Sequence, residues 1–298
     1  MNLRKVCPSC RSERIAVSAN TCSWSKSGHV MHYASCNVCG LRFYDSILPQ
    51  DEITSIYDDG YFNSDWCWYR QPYAEAWQDR KKDFEAHQLK IIMPFKKGCR
   101  MMEVGCAGGA TLKAFADAGY DTLGVELNAK MAEWGRKNLS LNIIAEDITS
   151  PDFKKTQGKF GLIYMSDVLE HINEPRALLE NLRFLLEQDG VLAMDVPLFE
   201  TNRFSSKIIR LYQKFKPIDT KARPDHLIFF TPSSLKIICR NAGYRIAAFH
   251  SWKEHVMTPA DFAAMPWKMR TLARLDHILP RFIPRIFDDK CIIILRTG

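Results

Sequence analysis

The amino-acid sequence predicts an α/β protein with a doubly wound sheet of seven strands, preceded by a small metal-binding module. Three observations lead to this fold class. Seven short apolar runs have the length and composition of strands, and helical segments lie between most of them. The turn after the first of these strands, GCAGG, consists only of small residues. Two Cys-x2-Cys pairs, separated by 25 residues, lie near the N-terminus.

Length and composition limit the classes of protein that this chain can be. With 298 residues and 46% apolar side chains, it can form one large α/β domain and one small module. Its longest purely aliphatic run is residues 292–295, so we expect no membrane span, and residues 1–7 have no apolar secretion-signal core. Ten cysteines without a paired framework favour a reducing compartment, and we expect a cytoplasmic protein.

The first element is a cysteine module at residues 1–48. Two Cys-x2-Cys pairs can complete a tetrahedral site of four thiolates, the donor set of structural Zn²⁺ in zinc ribbons. A module of this size buries too little apolar surface to fold alone, so the metal would stabilise it. Four protein ligands leave no open position for catalysis. The alternative is four unrelated cysteines, and Cys22 is not expected to be a ligand. The predicted ligands are Cys7, Cys10, Cys36 and Cys39.

Residues 49–98 are predicted to form an aromatic segment followed by a leading helix at 73–93. The aromatic side chains show no strict periodicity, which favours a lid or pocket wall over a strand or helix. The equally weighted alternative is that they pack the ribbon onto the main domain. These side chains are Tyr57, Tyr61, Phe62, Trp66, Trp68 and Tyr69.

Residues 99–128 form the unit around which the remaining chain is organised. Its elements are a strand at 101–104, a turn at 105–109, a helix at 111–118 and a strand at 122–125. Glu126 ends the second strand, 21 residues after Gly105. Small residues let the backbone approach a ligand, helix N–H groups face it, and a carboxylate can bind two ribose hydroxyls. The unit therefore predicts a cofactor that contains a nucleoside.

The ends of the third and fourth strands carry further polar residues. After the strand at 142–145 come Glu146, Asp147 and Ile148, which could accept from an adenine amino group and cover its ring. The alternative for the acids is a role in a turn or helix cap. After the strand at 160–165 comes Ser166 and then the sequence DVLEHI at 167–172.

These motifs resemble those of the class I S-adenosylmethionine-dependent methyltransferases. The resemblance includes Glu103 with the turn to Gly109, Glu126, the acids at 146–147, the DVLEHI block and the strand at 190–197. The DVLEHI block is similar to a branch with ubiquinone-type O-methyltransferases and deoxysugar C-methyltransferases. Some of the sugar enzymes also begin with a zinc-binding module. Ala107 stands where the family usually has a glycine.

The resemblance implies S-adenosylmethionine as the cofactor, where the spacing of the turn alone leaves a dinucleotide open. It also implies a Rossmann-like, seven-stranded sheet with an antiparallel last strand over residues 99–298. The expected cofactor-binding residues are Glu103, Gly105, Cys106, Ala107, Gly109, Glu126, Leu127, Asp147, Ile148, Ser166 and Asp167.

Two histidines are candidates for the base that accepts a proton from the acceptor. His226 follows Asp225 at the end of the long connection 198–226, which is a predicted substrate-covering insertion together with residues 252–288. His171 follows the fourth strand, near the expected cofactor. The alternative for either histidine is a structural role in a loop.

The acceptor follows least directly from the sequence. We expect a small molecule, namely a sugar, sugar nucleotide or lipid-linked intermediate; the alternatives are RNA and a non-catalytic cofactor-binding scaffold. The net charge is +7, with +4 on residues 1–48, −7 on 49–199 and +10 on 200–298. The basic, aromatic segment 260–287 could touch an anionic membrane, but a helical cap over the site is favoured.

Overall fold

The computed structural model describes residues 2–24, 28–57, 61–62, 72–150, 153, 158–199, 219–221, 226–252 and 289–298. Its strands are β1 (Asn2–Leu3), β2 (Ile15–Trp24), β3 (His29–Cys36), β4 (Arg42–Tyr44), β5 (Ser46–Ile47), β6 (Arg100–Val104), β7 (Asp121–Glu126), β8 (Ile143–Ala145), β9 (Phe160–Ser166), β10 (Leu186–Pro197), β11 (Asp219–Lys221), β12 (Ile228–Phe229), β13 (Tyr244–Trp252) and β14 (Lys290–Thr297). Its α-helices are α1 (Gln50–Ile56), α2 (Tyr73–Ala86), α3 (Gln88–Ile92), α4 (Ala110–Asp117), α5 (Ala129–Leu139), α6 (Pro175–Leu185) and α7 (Pro232–Asn241).

The central sheet has seven strands in the order β13-β14-β10-β9-β6-β7-β8. The strands from β10 to β8 pair in parallel, whereas β14 pairs antiparallel with both of its neighbours. This arrangement confirms the predicted fold class. The order reverses at β6, so the carboxyl ends of β6 and β9 flank the crevice where open α/β sheets bind their ligands.

The leading helix predicted at residues 73–93 is two helices, α2 and α3. The break lies at His87, whose backbone angles (φ −121°, ψ −74°) are not helical. The break lets Phe84 and Ile92 both reach the core on one face of the central sheet, where Phe84 packs on Phe115 and Tyr164.

A second sheet, in the order β11-β2-β3-β4-β12, is built on the cysteine module. Its first and last strands come from residues 219–221 and 228–229, far along the chain from the module itself. Residues 1–48 therefore do not complete this sheet by themselves, which the sequence did not predict. The apolar core of the module is continuous with the central sheet, since Leu41 and Phe43 share a buried cluster with Met165 and Leu169.

Several sequence-based predictions concern residues outside the described part of the chain. They are the aromatic side chains Trp66, Trp68 and Tyr69, most of the connection 198–226, Asp225, and residues 253–288. Within the described ranges, no helix combines the length and apolar character that crossing a bilayer requires.

Candidate active site and cysteine cluster

A cavity of about 400 Å³ lies at the carboxyl ends of β6, β7, β8 and β9. The structure brings eight of the eleven expected cofactor residues to its wall, namely Gly105, Ala107, Glu126, Leu127, Asp147, Ile148, Ser166 and Asp167. The other three, Glu103, Cys106 and Gly109, belong to the strand end and turn directly behind that wall. Residues from the ends of four different strands therefore meet, because parallel strands end at one edge of the sheet.

The turn after β6 approaches its neighbours so closely that small residues are needed. Gly105 has a positive φ of 69°, and a Cβ added there would lie 2.7 Å from Cγ2 of Val168. A Cβ on Gly108 would meet the Tyr73 ring at 2.4 Å. Ala107, at φ 49°, occupies the left-handed region without being glycine. Its N–H donates to Oε2 of Glu126 at 2.8 Å, which helps to hold this conformation.

Glu126 is a buried carboxylate that the local backbone holds in place. Its Oε2 accepts from the Ala107 N–H and its Oε1 from the Asn128 N–H, each at 2.8 Å. Burial raises the pKa of Glu126, and these N–H groups oppose that shift. Because each oxygen has a second lone pair, the fixed carboxylate can also accept two ligand hydroxyl groups.

Glu103 lies two residues before the turn and is 2% exposed. Among the described residues, its carboxylate has fewer hydrogen-bond donors than that of Glu126. Its Oε1 accepts from the Thr111 hydroxyl, and its Oε2 has no hydrogen-bond partner within the described residues. Burial raises the pKa of Glu103 to about 8. A buried carboxylate oxygen without a donor suits a cationic ligand such as the cofactor of the resembled family.

Asp147, the second acid after β8, both stabilises a local turn and lines the cavity. Oδ1 of Asp147 accepts from the Thr149 N–H at 2.8 Å, which is the turn role considered as the alternative from the sequence. Its Oδ2 accepts from the Gln50 amide at 3.1 Å. Asp147 and Ile148 both line the cavity, so the turn holds them where an aromatic ring could be bound.

The loop after β9 rests on a buried polar network that the sequence analysis missed. Asp167 has a positive φ of 54°, and its Oδ2 accepts from Nζ of Lys290 at 3.0 Å. Lys290 Nζ also lies 3.8 Å from Asp195, and Arg80 donates to the Ser166 hydroxyl at 3.1 Å. An acid inside the apolar run of β10 and a lysine at the start of β14 were the available sequence signals.

The two candidate histidines lie together and share a buried carboxylate. The ring centroids of His171 and His226 are 4.9 Å apart. Oε1 of Glu170 lies 3.5 Å from Nε2 of His171 and 4.0 Å from Nε2 of His226. His171 lines the cavity, whereas His226 packs on the His171 ring and is about half exposed. The sequence paired His226 with Asp225, so the contribution of Glu170 was missed.

Burial, followed by the nearby charge of Asp167, raises the pKa of Glu170 to about 8, whereas His226 opposes this shift. Glu170 is fully buried, so a proton on either imidazole would balance its charge. The facing nitrogen and oxygen atoms of Glu170, His171 and His226 lie within 4.8 Å of one another, a spacing that a metal ion can also bridge.

The four cysteines of the two Cys-x2-Cys pairs converge on one point. Sγ of Cys7 lies 3.6 Å from that of Cys39, and Sγ of Cys10 lies 3.5 Å from that of Cys36. These separations are too long for disulfides. They are close to the edge of about 3.8 Å in a tetrahedron with Zn–S bonds of about 2.3 Å. Cys22 is buried and lies outside this cluster.

Comparison with known proteins identifies the family. A family model described as "Methyltransferase domain" matches residues 70–248, which is more than half of the chain. The chain belongs to this methyltransferase family. The resemblance to S-adenosylmethionine-dependent methyltransferases found in the sequence is thereby confirmed.

Three curated relatives of the methyltransferase are named "Ubiquinone biosynthesis O-methyltransferase". The one from Glaesserella parasuis serovar 5 (strain SH0165) is 27% identical over 138 residues, covering 40% of this chain and 58% of the relative. The one from Actinobacillus pleuropneumoniae serotype 5b (strain L20) is 32% identical over 103 residues, with 32% and 44% covered. The one from Neisseria meningitidis serogroup C (strain 053442) is 24% identical over 203 residues, with 62% and 83% covered. The chain thus matches about half the length of the first two.

Solved structures show the same fold. A SAM-dependent methyltransferase from Archaeoglobus fulgidus superposes with a TM-score of 0.51 and 19% identity, covering 76% of this methyltransferase and 100% of that chain. The PH0226 protein of Pyrococcus horikoshii OT3 gives a TM-score of 0.50 and 10% identity, covering 80% and 96%. At these identities the similarity shows the fold alone.

The first prediction concerns Glu126. Replacing Glu126 by Ala should weaken binding of S-adenosylhomocysteine by about 1–3 kcal/mol, because a hydrogen-bonded buried carboxylate is lost. Titration calorimetry measures this change, with Asp121→Ala, at the exposed start of the same strand, as the matched control. Binding of NAD in place of the homocysteine product would contradict the assignment of the cofactor.

The second prediction concerns the pH dependence of stability. The raised pKa of Glu103 means that the folded state keeps a proton between pH 4.5 and about 8 that the unfolded state releases. The contribution of Glu103 to the free energy of unfolding therefore falls as pH rises through this window, by about 1.4 kcal/mol per pH unit.

In Glu103→Gln this contribution disappears, since the amide does not titrate. Between pH 5.5 and 7.5 the wild type should lose about 2–3 kcal/mol more stability than the variant. Urea unfolding of the cofactor-free protein at both pH values measures the difference. The exposed Glu75→Gln serves as the control, and parallel pH profiles for wild type and Glu103→Gln would refute the protonated state of Glu103.

Proposed function

We propose that this methyltransferase transfers the methyl group of S-adenosylmethionine to a small-molecule acceptor. The proposal rests mainly on the cavity, which is lined both by the turn and carboxylate of the βαβ unit and by His171. A volume of about 400 Å³ is within the range of small-molecule sites. The family and the fold support the same reaction.

The residues of the cavity fit the parts of this cofactor. Glu126 would hold the ribose hydroxyls, the turn at Gly105 would admit the methionine part, and Asp147 with Ile148 would flank the adenine. A bound cation would lower the pKa of Glu103 and favour its ionised form, whose Oε2 has no donor among the described residues. When bound, S-adenosylmethionine supplies an activated methyl group on a sulfonium.

The histidine pair would accept the proton from the acceptor. Glu170 Oε1 lies 3.5 Å from Nε2 of His171 and 4.0 Å from Nε2 of His226, so an ionised Glu170 acts on both rings. Glu170 would stabilise the imidazolium that forms when either ring accepts the proton. His171 is the member of the pair that reaches the cavity wall, and His226 contacts it from outside.

The residues of the cavity wall favour a polar acceptor that carries hydroxyl groups and can stack on aromatic side chains. Tyr57, Tyr61 and Phe62 line it, which agrees with the predicted pocket wall. Among the described lining residues there are several carboxylates and no lysine or arginine. Such a wall suits a sugar ring or a quinol better than an RNA backbone, which requires cationic contacts. Within the predicted class of sugars, sugar nucleotides and lipid-linked intermediates, this wall is therefore suited to the sugar ring.

We further propose that the cysteine cluster binds one structural zinc ion. The four Sγ positions match a tetrathiolate site, and Cys7, Cys36 and Cys39 are buried. A site closed by four protein ligands has no position for a substrate, so its contribution is to folding.

The third prediction tests the reaction and its base together. Radiolabelled methyl transfer should be found with sugar nucleotides, lipid-linked sugars or quinol precursors, and not with RNA. His171→Gln and His226→Gln should bind S-adenosylhomocysteine as wild type does, and at least one should lower kcat by about 10²–10⁴-fold, the usual contribution of a general base.

His250→Gln, on the exposed edge strand β13, is the matched control. Turnover within about threefold of wild type in both cavity-side variants would remove the histidine pair from the mechanism, because a lost base costs far more. Methyl transfer to RNA alone would overturn the choice of acceptor.

The fourth prediction concerns the metal. The purified chain should contain one zinc per molecule, and Cys36→Ser should lose it, because a hydroxyl is a poor zinc ligand at neutral pH. Elemental analysis by mass spectrometry measures the content. Cys99→Ser, which changes a cysteine outside the cluster, should keep the metal. Full zinc content in Cys36→Ser would show that the four cysteines do not form the site.

A further inference from the structure

The strand that follows His226 is part of the cysteine-module sheet. β12 pairs antiparallel with β4, with Ile228 opposite Phe43 and Phe229 opposite Arg42. β4 begins three residues after Cys39. The segment that carries one of the two proposed bases is therefore hydrogen-bonded to the strand that leaves the metal cluster.

The backbone of Leu227 connects the two parts directly. Its carbonyl accepts from the Tyr44 N–H at 3.1 Å, and its N–H donates to the Glu170 carbonyl at 2.9 Å. One residue thus joins β4 to the loop that carries both Glu170 and His171. His226, the preceding residue, is held beside them by this clamp.

Side-chain packing reinforces the clamp. The ring of Phe229 lies 5.9 Å from that of Tyr33 and 5.6 Å from that of Tyr44. Ile228 and Phe43 are almost completely buried, in the same cluster as Cys7, Cys36 and Cys39. Displacing β4 would expose this apolar surface, so β12 and β4 should move together.

A second contact links the cysteine module to the cavity wall. The Arg4 side chain is 3% exposed, and it donates to the Asn173 carbonyl at 2.8 Å and to Oε1 of Glu174 at 3.1 Å. The Asn173 amide in turn donates to the Leu48 carbonyl at 2.7 Å. Asn173 and Glu174 line the cavity two and three residues after His171.

The cofactor side of the cavity is held differently. The Glu126 carboxylate is bound by the N–H groups of Ala107 and Asn128, and Glu103 by Thr111. These residues belong to the βαβ unit of the central sheet, whose strands pair with one another. Two further contacts on the cofactor side, from the Gln50 amide to Asp147 and from the Asn128 amide to the Tyr57 carbonyl, involve residues 50–57, which lie outside the cysteine module. The two sides of one cavity are thus supported largely by two different parts of the structure.

We infer that the metal-bound module positions the acceptor side of the methyl-transfer site and leaves the cofactor side independent of it. Loss of the metal releases β4, and with it β12, His226 and the loop at residues 170–174. Arg4 and Phe229 are positioning residues in this arrangement. The inference rests on the proposed zinc site and histidine pair.

Hydrogen–deuterium exchange of the full chain tests this inference, because it requires no acceptor. Removing zinc with a chelator should increase exchange about tenfold or more in residues 226–230 and 170–174, together with 31–44, as expected for local opening. Residues 101–126 should keep their protection. The Kd for S-adenosylhomocysteine should change by less than about threefold, since its contacts lie in the central sheet.

Two outcomes would overturn the inference. Residues 226–230 could keep their protection while 31–44 lose theirs, or S-adenosylhomocysteine binding could disappear together with the metal. Because neither readout involves methyl transfer, a wrong acceptor or base would leave both expected results unchanged.

Phe229→Ala tests the positioning role without removing a metal ligand. It should retain one zinc and bind S-adenosylhomocysteine normally, yet raise exchange at 226–230 and lower kcat more than it alters the cofactor KM. Val17→Ala, an exposed position on β2, is the matched control and should change none of these quantities. Unchanged exchange in Phe229→Ala would assign the ring a purely local packing role.

Discussion

The need to satisfy buried carboxylates organises the site. Glu103, Glu126 and Glu170 all lie in the low-dielectric edge of the sheet, where a charged oxygen requires donors or a nearby cation. Glu126 receives two backbone N–H groups and is fixed. Glu103 keeps one oxygen without a donor, and Glu170 faces two imidazoles. The two incompletely satisfied acids are the positions where a cationic cofactor and a protonated histidine would be stabilised.

The cysteine module and the catalytic sheet are not separate units joined by a linker. Strands from residues 219–221 and 228–229 complete the sheet of the module, and Arg4 is buried against residues 173–174. A small module gains apolar burial in this way, since its core continues into that of the central sheet through Phe43 and Leu169. The same contacts place the return of the long connection next to the cavity.

The polar network around Asp167 contains a buried lysine whose ion pairs fix the loop after β9. Lys290, which is 2% exposed, joins the start of β14 to the left-handed residue after β9 and lies near Asp195. A buried lysine between two acids is costly unless its geometry is fixed. The network therefore holds the loop of DVLEHI in one conformation, which in turn orients Glu170 and His171 toward each other.

The sequence by itself determined the local motifs of this protein. The Cys-x2-Cys pairs, the small-residue turn, the strand-end acids and the alternation of strands and helices each depend on residues a few positions apart, and the structure has the predicted sheet. Only the tertiary structure decided the pairing of β12 with β4, the break at His87 and the meeting of His171 with His226. Glu170, Arg80 and Lys290 gained partners far away along the chain, and spacing in sequence carries no information about such contacts. Hydrogen bonds and burial across the fold therefore position the two histidines, whereas spacing within the βαβ unit positions the turn and Glu126.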